Sequence, residues 1–414
     1  MSVYASSRFK WIDRHFHALT HRHFRTIWLG QCVSLVGTWA QTIAQSWLVL
    51  TLTDSPLLLG FVGVAQFLPF TCLSLFAGAV VDRYPKRTIL LLTQSFSMLL
   101  ALTLSLLVFT GTVSYLHIVV IALLTGVSNS FDLPARQAFN VEVVGAADLM
   151  NAVALNSSTL NLARIVGPAI GALLMATLGP GWCFLVNAVS FAGLLIGLAR
   201  MKIASFVRPR RTDTGIVTEI GDGLRYLFRD RSLLTAALLV LLIGTFGFNY
   251  NVLIPVLTRD VLHMKENAYG LLMSCIGIGS LVGAIALSVA SRKGPRLAVG
   301  IGCCLAVASF LVLVGIARTP AAVGIALVCT GFFNIVALTT GNAYLQVHAS
   351  AEYRSRVMGV YSLVFVGSTP LGSLFAGYIS DRFGAGYAFL LCGVCLFACG
   401  LLLRAFRADD ARRQ

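Results

Sequence analysis

Long apolar runs broken by short polar punctuation set the character of this chain. Runs near twenty residues or longer recur at 27–52, 57–80, 88–110, 115–135, 149–177, 182–200, 233–258, 268–290, 297–317, 321–346, 355–380 and 385–403. Each suits a helix crossing the hydrocarbon of a bilayer. None alternates with period two, which argues against strands, and in lipid a helix satisfies its own backbone polar groups. Twelve transmembrane helices are predicted, an all-α membrane protein. One long polar interruption, MKIASFVRPRRTDTGIVTEIGDGLRYLFRDRS at 201–232, divides them six and six, and its residues 217–229 read as an amphipathic surface helix. The layout expected is an N-terminal segment (1–25), a first half (26–200), a linker (201–232), a second half (233–403) and a tail (404–414).

Composition agrees with that pattern. The chain is 57% hydrophobic and 11% charged, where soluble domains carry roughly 25% charged residues. Its net charge of +15 invites a nucleic-acid reading. The placement of the bases argues otherwise. With a cytoplasmic N-terminus, 26 of the 31 Lys and Arg fall on the inner side, 4 on the outer side, and Arg164 lies inside a helix. That is the positive-inside bias, so both termini are expected in the cytoplasm, in a bacterial-type inner membrane, with no nucleic-acid partner. Residues 1–25 are basic and lack a small-residue cleavage site, so they read as an interfacial segment rather than a signal peptide or a His-rich metal tract. The cysteines lie almost wholly in apolar runs, including CGVCLFAC at 392–399, and suggest packing rather than a disulfide framework.

The halves repeat. A shift of 205 residues lays QAFNVEVV (137–144) over NAYLQVHA (342–349), and places Gly167 on Gly372, Gly179 on Gly384, Gly181 on Gly386 and Phe184 on Phe389. A shift of 209 places Arg83 on Arg292 and Arg87 on Arg296. Two parallel six-helix repeats suit a transporter with its site between them near the midplane.

The most concentrated chemistry between helices is GAVVDRYPKR, Gly78 to Arg87, after the second run. Gly78 permits close helix approach, Asp82 needs a partner or water at the membrane face, and Arg83, Lys86 and Arg87 are the bases within reach. The stretch resembles the loop motif of the major facilitator superfamily, G-x-x-x-D-R-x-x-[KR]-[KR]. The resemblance implies that Gly78, Asp82, Arg83 and Arg87 latch the inner gate against the eleventh helix. The second-half copy, SVASRKGPR, has Ser291 in place of the acid, implying a weaker latch there. A related piece, GYISDRFG at 377–384, falls on the outer side and is assigned no gate role. With NSFDLPARQAFNVEVV, MNAVALNSSTLNLARIVGPAIGALL and SLVGTWAQTIAQSWLVLTLTDSPLLLG, the chain looks like the enterobactin-exporter branch, which includes macrolide efflux relatives. In the fifth run, Gly167, Pro168 and Gly171 are similar to the G-P-x-x-G-G element of antiporters, with Ala172 at the last position, and imply export. The fourth run reads ALLTGVSNS, without the Arg of many drug antiporters.

Polar residues inside apolar helices usually face the bundle interior. Gln31, Ser34, Thr38, Gln41, Thr42 and Gln45 share one face of the first helix at spacings of three and four. This stripe is expected to line a cavity or to hydrogen-bond another helix, and Trp39 and Trp47 to stack on an aromatic ligand or to pack. Asn129, Asn161, Asn249 and Asn334 are further cavity candidates, with Tyr250 and Asn251 beside them. Arg164 keeps its charge at ordinary pH. It is expected either to bind an anionic substrate group or to pair with Asp132 or Glu142. No G-x-x-x-x-G-K-[ST] loop is present, so a proton gradient is the expected energy source, without a cofactor or metal. Asp132 and Glu142 are the candidate coupling carboxylates, and Asp132 also stands to pair with Arg136.

These features predict a monomeric secondary transporter that exports an amphiphilic small molecule, either a siderophore such as a catecholate or a hydrophobic drug. The rivals are an importer or lysolipid flippase of the same fold, and a membrane sensor that no longer transports. An enzyme is not expected, because no nucleophile–base set or ligand cluster can be placed together.

Overall fold

The computed structural model describes residues 17–201, 216–290, 294–350 and 352–413, and among these it is helical almost throughout. The first half comprises α1 (Arg22–Thr53), α2 (Pro56–Arg83), α3 (Lys86–Phe109), α4 (Tyr115–Gly145), α5 (Asp148–Leu178) and α6 (Pro180–Arg200). A surface helix, α7 (Ile216–Arg229), precedes the second half. There follow α8 (Arg231–Phe246) and α9 (Tyr250–Val256), which together make one crossing, then α10 (Glu266–Ala290), α11 (Leu297–Ile316), α12 (Pro320–His348), α13 (Arg354–Phe383) and α14 (Ala385–Arg413).

Eleven crossings are long and apolar enough to span a membrane. The twelfth, α1, has the length at 32 residues, but its polar face keeps its hydropathy below theirs. Elsewhere the outward faces are apolar. On α3, Leu92, Phe96, Leu99 and Leu106 are exposed at intervals of three, four and seven, one stripe turned to lipid. The opposite face of α3, with Leu90, Leu100 and Leu104, is buried.

Three features sharpen the expected layout. Residues 136–145, beyond the fourth apolar run at 115–135, continue α4 as helix to Gly145, whose φ of 73° turns the chain into α5. No helix-breaking residue lies between Pro134 and that glycine, so nothing stops α4 sooner. The repeat shows in the backbone: Gly179 and Gly384, superposed by the 205-residue shift, both take positive φ (93° and 85°) between consecutive crossings. The amphipathic helix is present as α7. It packs on the start of α13, where Tyr226 stacks on Tyr353 at 4.5 Å and Asp222 pairs with Arg356 at 3.5 Å. Asp230 then caps α8, accepting from the Ser232 and Leu233 amides.

Candidate functional site: the seams between the halves

The halves meet along two helix pairs, α2 with α13 and α5 with α10. Both seams depend on small residues. A Cβ on Gly60 would fall 2.6 Å from the Ser373 carbonyl oxygen, and a Cβ on Gly277 would fall 2.8 Å from that of Arg164. Gly60 and Gly277 therefore let backbone approach backbone, the usual device where lipid supplies no hydrophobic drive between helices. Pro168 lacks an amide, which leaves the Arg164 carbonyl without its helical partner, and Gly277 packs on that atom. One turn away, Ser274 Oγ donates to the Ile165 carbonyl at 2.8 Å.

The α2–α13 seam then parts. Along α2, contact with α13 runs from Pro56 through Gly60 and Gly63 to Thr71, which meets Gly367. Further on, a Cβ at Gly78 would meet nothing within 4 Å, and Asp82, Arg83 and Tyr84 are exposed. Along α10, contact with α5 runs from Gly270 to Gly277. The bundle is thus closed at the end carrying the Asp54–Pro56 turn and open at the end carrying Asp82.

The closed end is held by polar clasps between the halves. Asp381, at the end of α13, accepts from Ser55 Oγ at 2.6 Å and from the Leu57 amide at 3.3 Å, at the N-terminus of α2. A carboxylate there satisfies an unpaired amide and complements the helix dipole. Arg259 reaches Asp54 Oδ1 at 2.8 Å and the Leu50 carbonyl at 3.0 Å, which pins the end of α1. Arg259 is carried on the wide turn Leu257–Val261 that continues α9. GYISDRFG, assigned no gate role from sequence, therefore supplies one half of a clasp.

The loop motif is different. Asp82 makes no ion pair among the described residues, against the expectation that Arg83, Lys86 or Arg87 would hold it. Arg87 is occupied elsewhere: its Nε and Nη2 donate to the Leu198 and Ala199 carbonyls at 2.8 Å, capping α6. Lys86 is buried. Gly78 makes no close approach, because α13 has parted from α2 at that level. Ser291 and Arg292 of the second copy, and residues 1–16 of the His-rich segment, lie outside the described residues. His21 of that segment bonds Asp148 at 2.8 Å.

Beside the α5–α10 seam, at the level of Arg164, lies a cavity of about 70 Å³. Arg164, Trp39, Phe248, Tyr250, Asn251 and Asn334 line it, with Met273 and Ile276 completing an apolar flank. The Arg164 guanidinium lies over the Trp39 ring at 5.4 Å. Its Nε is buried without a hydrogen-bond partner. The expected pairing with Asp132 or Glu142 is absent. Asn334 donates to the Gly247 carbonyl at 2.8 Å and to Tyr250 Oη at 2.6 Å, which satisfies the break between α8 and α9. The Oδ1 atoms of Asn251 and Asn334 are buried without partners.

Of the cavity candidates, Arg164, Asn334, Tyr250 and Asn251 line this space, with Trp39. Thr38 and Gln41 turn to α6 instead: Asn187 donates to Gln41 Oε1 at 2.7 Å, and Thr38 donates to Asn187 Oδ1 at 3.4 Å. Gln31 and Gln45 are half-buried and Asn129 is exposed, all away from the cavity wall. Asn161 donates to its own helix, to the Ser157 carbonyl at 3.0 Å. Asn249 is buried, bonding Thr245 at 2.8 Å and contacting Cys392. Trp47 stacks on Tyr269 at 6.0 Å rather than facing the cavity. Sequence reading missed Asn187, a polar residue inside an apolar run, which could have been found by that token. It also missed Phe248 and Met273, which nothing in an apolar helix distinguishes from packing. Gly167 and Gly171 seat α5 on Trp39, Val36 and Ala40 of α1, and Pro168 presents its carbonyl to Gly270.

The two candidate acids stand in different surroundings. Asp132 is fully engaged, accepting from Thr93 at 2.9 Å, Gln94 at 2.6 Å and Arg136 at 2.8 Å. Glu142 has a buried Oε2 without a partner.

Comparison with known proteins agrees with this architecture. The family model described as "Transmembrane secretion effector" matches residues 14–413. The chain is 27% identical to the staphyloferrin A transporter of Staphylococcus aureus, over 87% of this chain and 90% of that one. It is 28% identical to the multidrug efflux pump Tap of Mycolicibacterium fortuitum, over 88% and 91%. The crystal structure of the nucleoside transporter NupG superposes with a TM-score of 0.74 at 12% identity, over 93% of this chain and 98% of that one.

Proposed function

This chain belongs to the transmembrane secretion effector family of major facilitator transporters, and we propose that it exports an amphiphilic small molecule by alternating access. It is a multi-pass membrane transporter and not an enzyme. One observation carries the finer reading: a cavity lined from both halves, by Trp39 and Arg164 of the first and Phe248, Tyr250 and Asn334 of the second, lies in a bundle whose α2–α13 seam is closed at one end and parted at the other. A site so placed reaches one side at a time when the halves rock.

The charge bias assigns the open end to the cytoplasm of a bacterial inner membrane. Substrate then loads from the cytoplasm or the inner leaflet between the parted ends of α2 and α13. The halves rock about the level of Arg164 and Gly277. The Asp381 and Arg259 clasps release, and Asp82 engages the N-terminus of α13 to hold the inner end shut. The efflux relatives favour export, and they favour siderophores and hydrophobic drugs as substrate classes. A proton gradient supplies the energy. Glu142 is the better proton carrier of the two acids: Asp132 already has three partners, whereas Glu142 Oε2 has none.

Two measurements test this reading. Secreted metabolites of a deletion strain, compared with its parent, are expected to lack one amphiphile that accumulates inside the cells; identical profiles inside and out count against export. In sealed vesicles, an imposed pH gradient is expected to drive transport, and Glu142→Gln to abolish that drive while leaving substrate exchange intact. Transport indifferent to the gradient rules out proton coupling.

A further inference from the structure

The cavity around Arg164 has a composition that narrows its ligand, taking the cavity as the transport site proposed above. Among the described residues, Arg164 is the one formally charged residue on the cavity wall. A guanidinium remains protonated at any physiological pH. In a poorly solvated site it needs a counter-charge, and no carboxylate of the described residues supplies one: Asp132 is committed to Arg136, and neither it nor Glu142 lines the cavity. The Trp39 ring lies beside the guanidinium, 5.4 Å from its central carbon, while Nε stays unpartnered. A planar fork with free donors matches a carboxylate. The flank of Phe248, Tyr250 and Met273 matches a flat apolar body. The buried Oδ1 atoms of Asn251 and Asn334 are acceptors awaiting a donor.

We infer that the ligand of this cavity is an aromatic anion: a flat apolar body carrying a carboxylate that pairs with Arg164, with hydroxyl or amide donors on the side facing Asn251 and Asn334. A cationic amphiphile finds no counter-charge here and meets Arg164 instead.

The test uses the purified full chain in lipid nanodiscs and three probes of one shape: 2-naphthoate, 2-naphthylmethanol and 2-naphthylmethylammonium. Binding is read by titration calorimetry, with circular dichroism and thermal unfolding to certify each variant. Naphthoate is expected to bind about tenfold tighter than the alcohol, and the ammonium weakest. Arg164→Gln removes that preference and leaves the alcohol within about twofold of wild type, Arg164→Lys retains part of it, and Trp39→Leu weakens naphthoate and the alcohol. Equal binding of the three probes, or a preference for the ammonium, overturns the anion assignment while the cavity still stands as a binding site. An unchanged preference in Arg164→Gln overturns it as well. If none of the three binds wild type saturably, the anion assignment fails and the reading of the cavity as a binding site fails with it. Should Arg164→Gln not fold, the wild-type ranking of the probes decides.

Discussion

The two ends of the α2–α13 pair carry the same pattern and are in opposite states. The helices run antiparallel, and each ends in G-x-x-x-D-R: Gly78, Asp82 and Arg83 on α2, and Gly377, Asp381 and Arg382 on α13. At one end Gly377 lies against Pro56 and Gly60, and Asp381 caps the first turn of α2. At the other, Gly78 touches nothing within 4 Å and Asp82 is exposed. A small residue followed one turn later by a carboxylate is suited to dock on a neighbouring helix N-terminus, where unpaired amides await an acceptor. The difference teaches that one sequence pattern is docked at one end of the pair and undocked at the other.

Substitutions can break that comparison. The largest effect is expected from Gly60→Val, whose side chain would overlap the Ser373 carbonyl and wedge the closed end apart. Overpacking of this kind costs about 1–3 kcal/mol, so the closed form should lose occupancy by about tenfold or more, read as new labelling of an engineered thiol facing the cavity from the Asp54 side. Gly78→Val should leave this conformation untouched and disfavour the other. Next comes the pair Arg259→Ala with Asp381→Ala, which removes both clasps and should shift the same labelling by about tenfold, the two solvent-exposed clasps together being worth about 1.4 kcal/mol. Asp82→Asn should move the thermal midpoint of this conformation by less than about 1 °C, since Asp82 has no ion-pair partner here among the described residues, yet slow turnover several-fold because the opposite state loses its latch. Smallest is Ser55→Ala, which deletes one donor to Asp381 and the cap of α2, for about a fivefold shift in labelling.

The fold was legible in the sequence because lipid leaves a chain few choices: twelve apolar runs, one polar divide and a repeat marked by Gly179 and Gly384 are enough. The site was legible only where a residue was out of place in an apolar helix. Arg164 and Asn334 announced themselves that way, and both line the cavity. The same rule left Thr38 and Gln41 open between a cavity and a neighbouring helix, and they meet a polar neighbour, Asn187 on α6. Periodicity places residues on one face of a helix without saying what that face meets. The engaged clasp was hidden for a related reason. Asp381 and Ser55 stand 326 residues apart, and nothing local in either stretch points to the other.

The central claim is that the two ends of the α2–α13 pair exchange states as the halves rock. Spin labels on a cysteine-free background at Thr51 and Arg382 report the closed end, and labels at Tyr84 and Glu352 report the open end, all four being exposed. Both distances are measured in wild type and in Arg259→Ala with Asp381→Ala. The account predicts that releasing the clasps lengthens the Thr51–Arg382 distance and shortens the Tyr84–Glu352 distance in the same population. Distances that stay fixed, or that lengthen together, would contradict it.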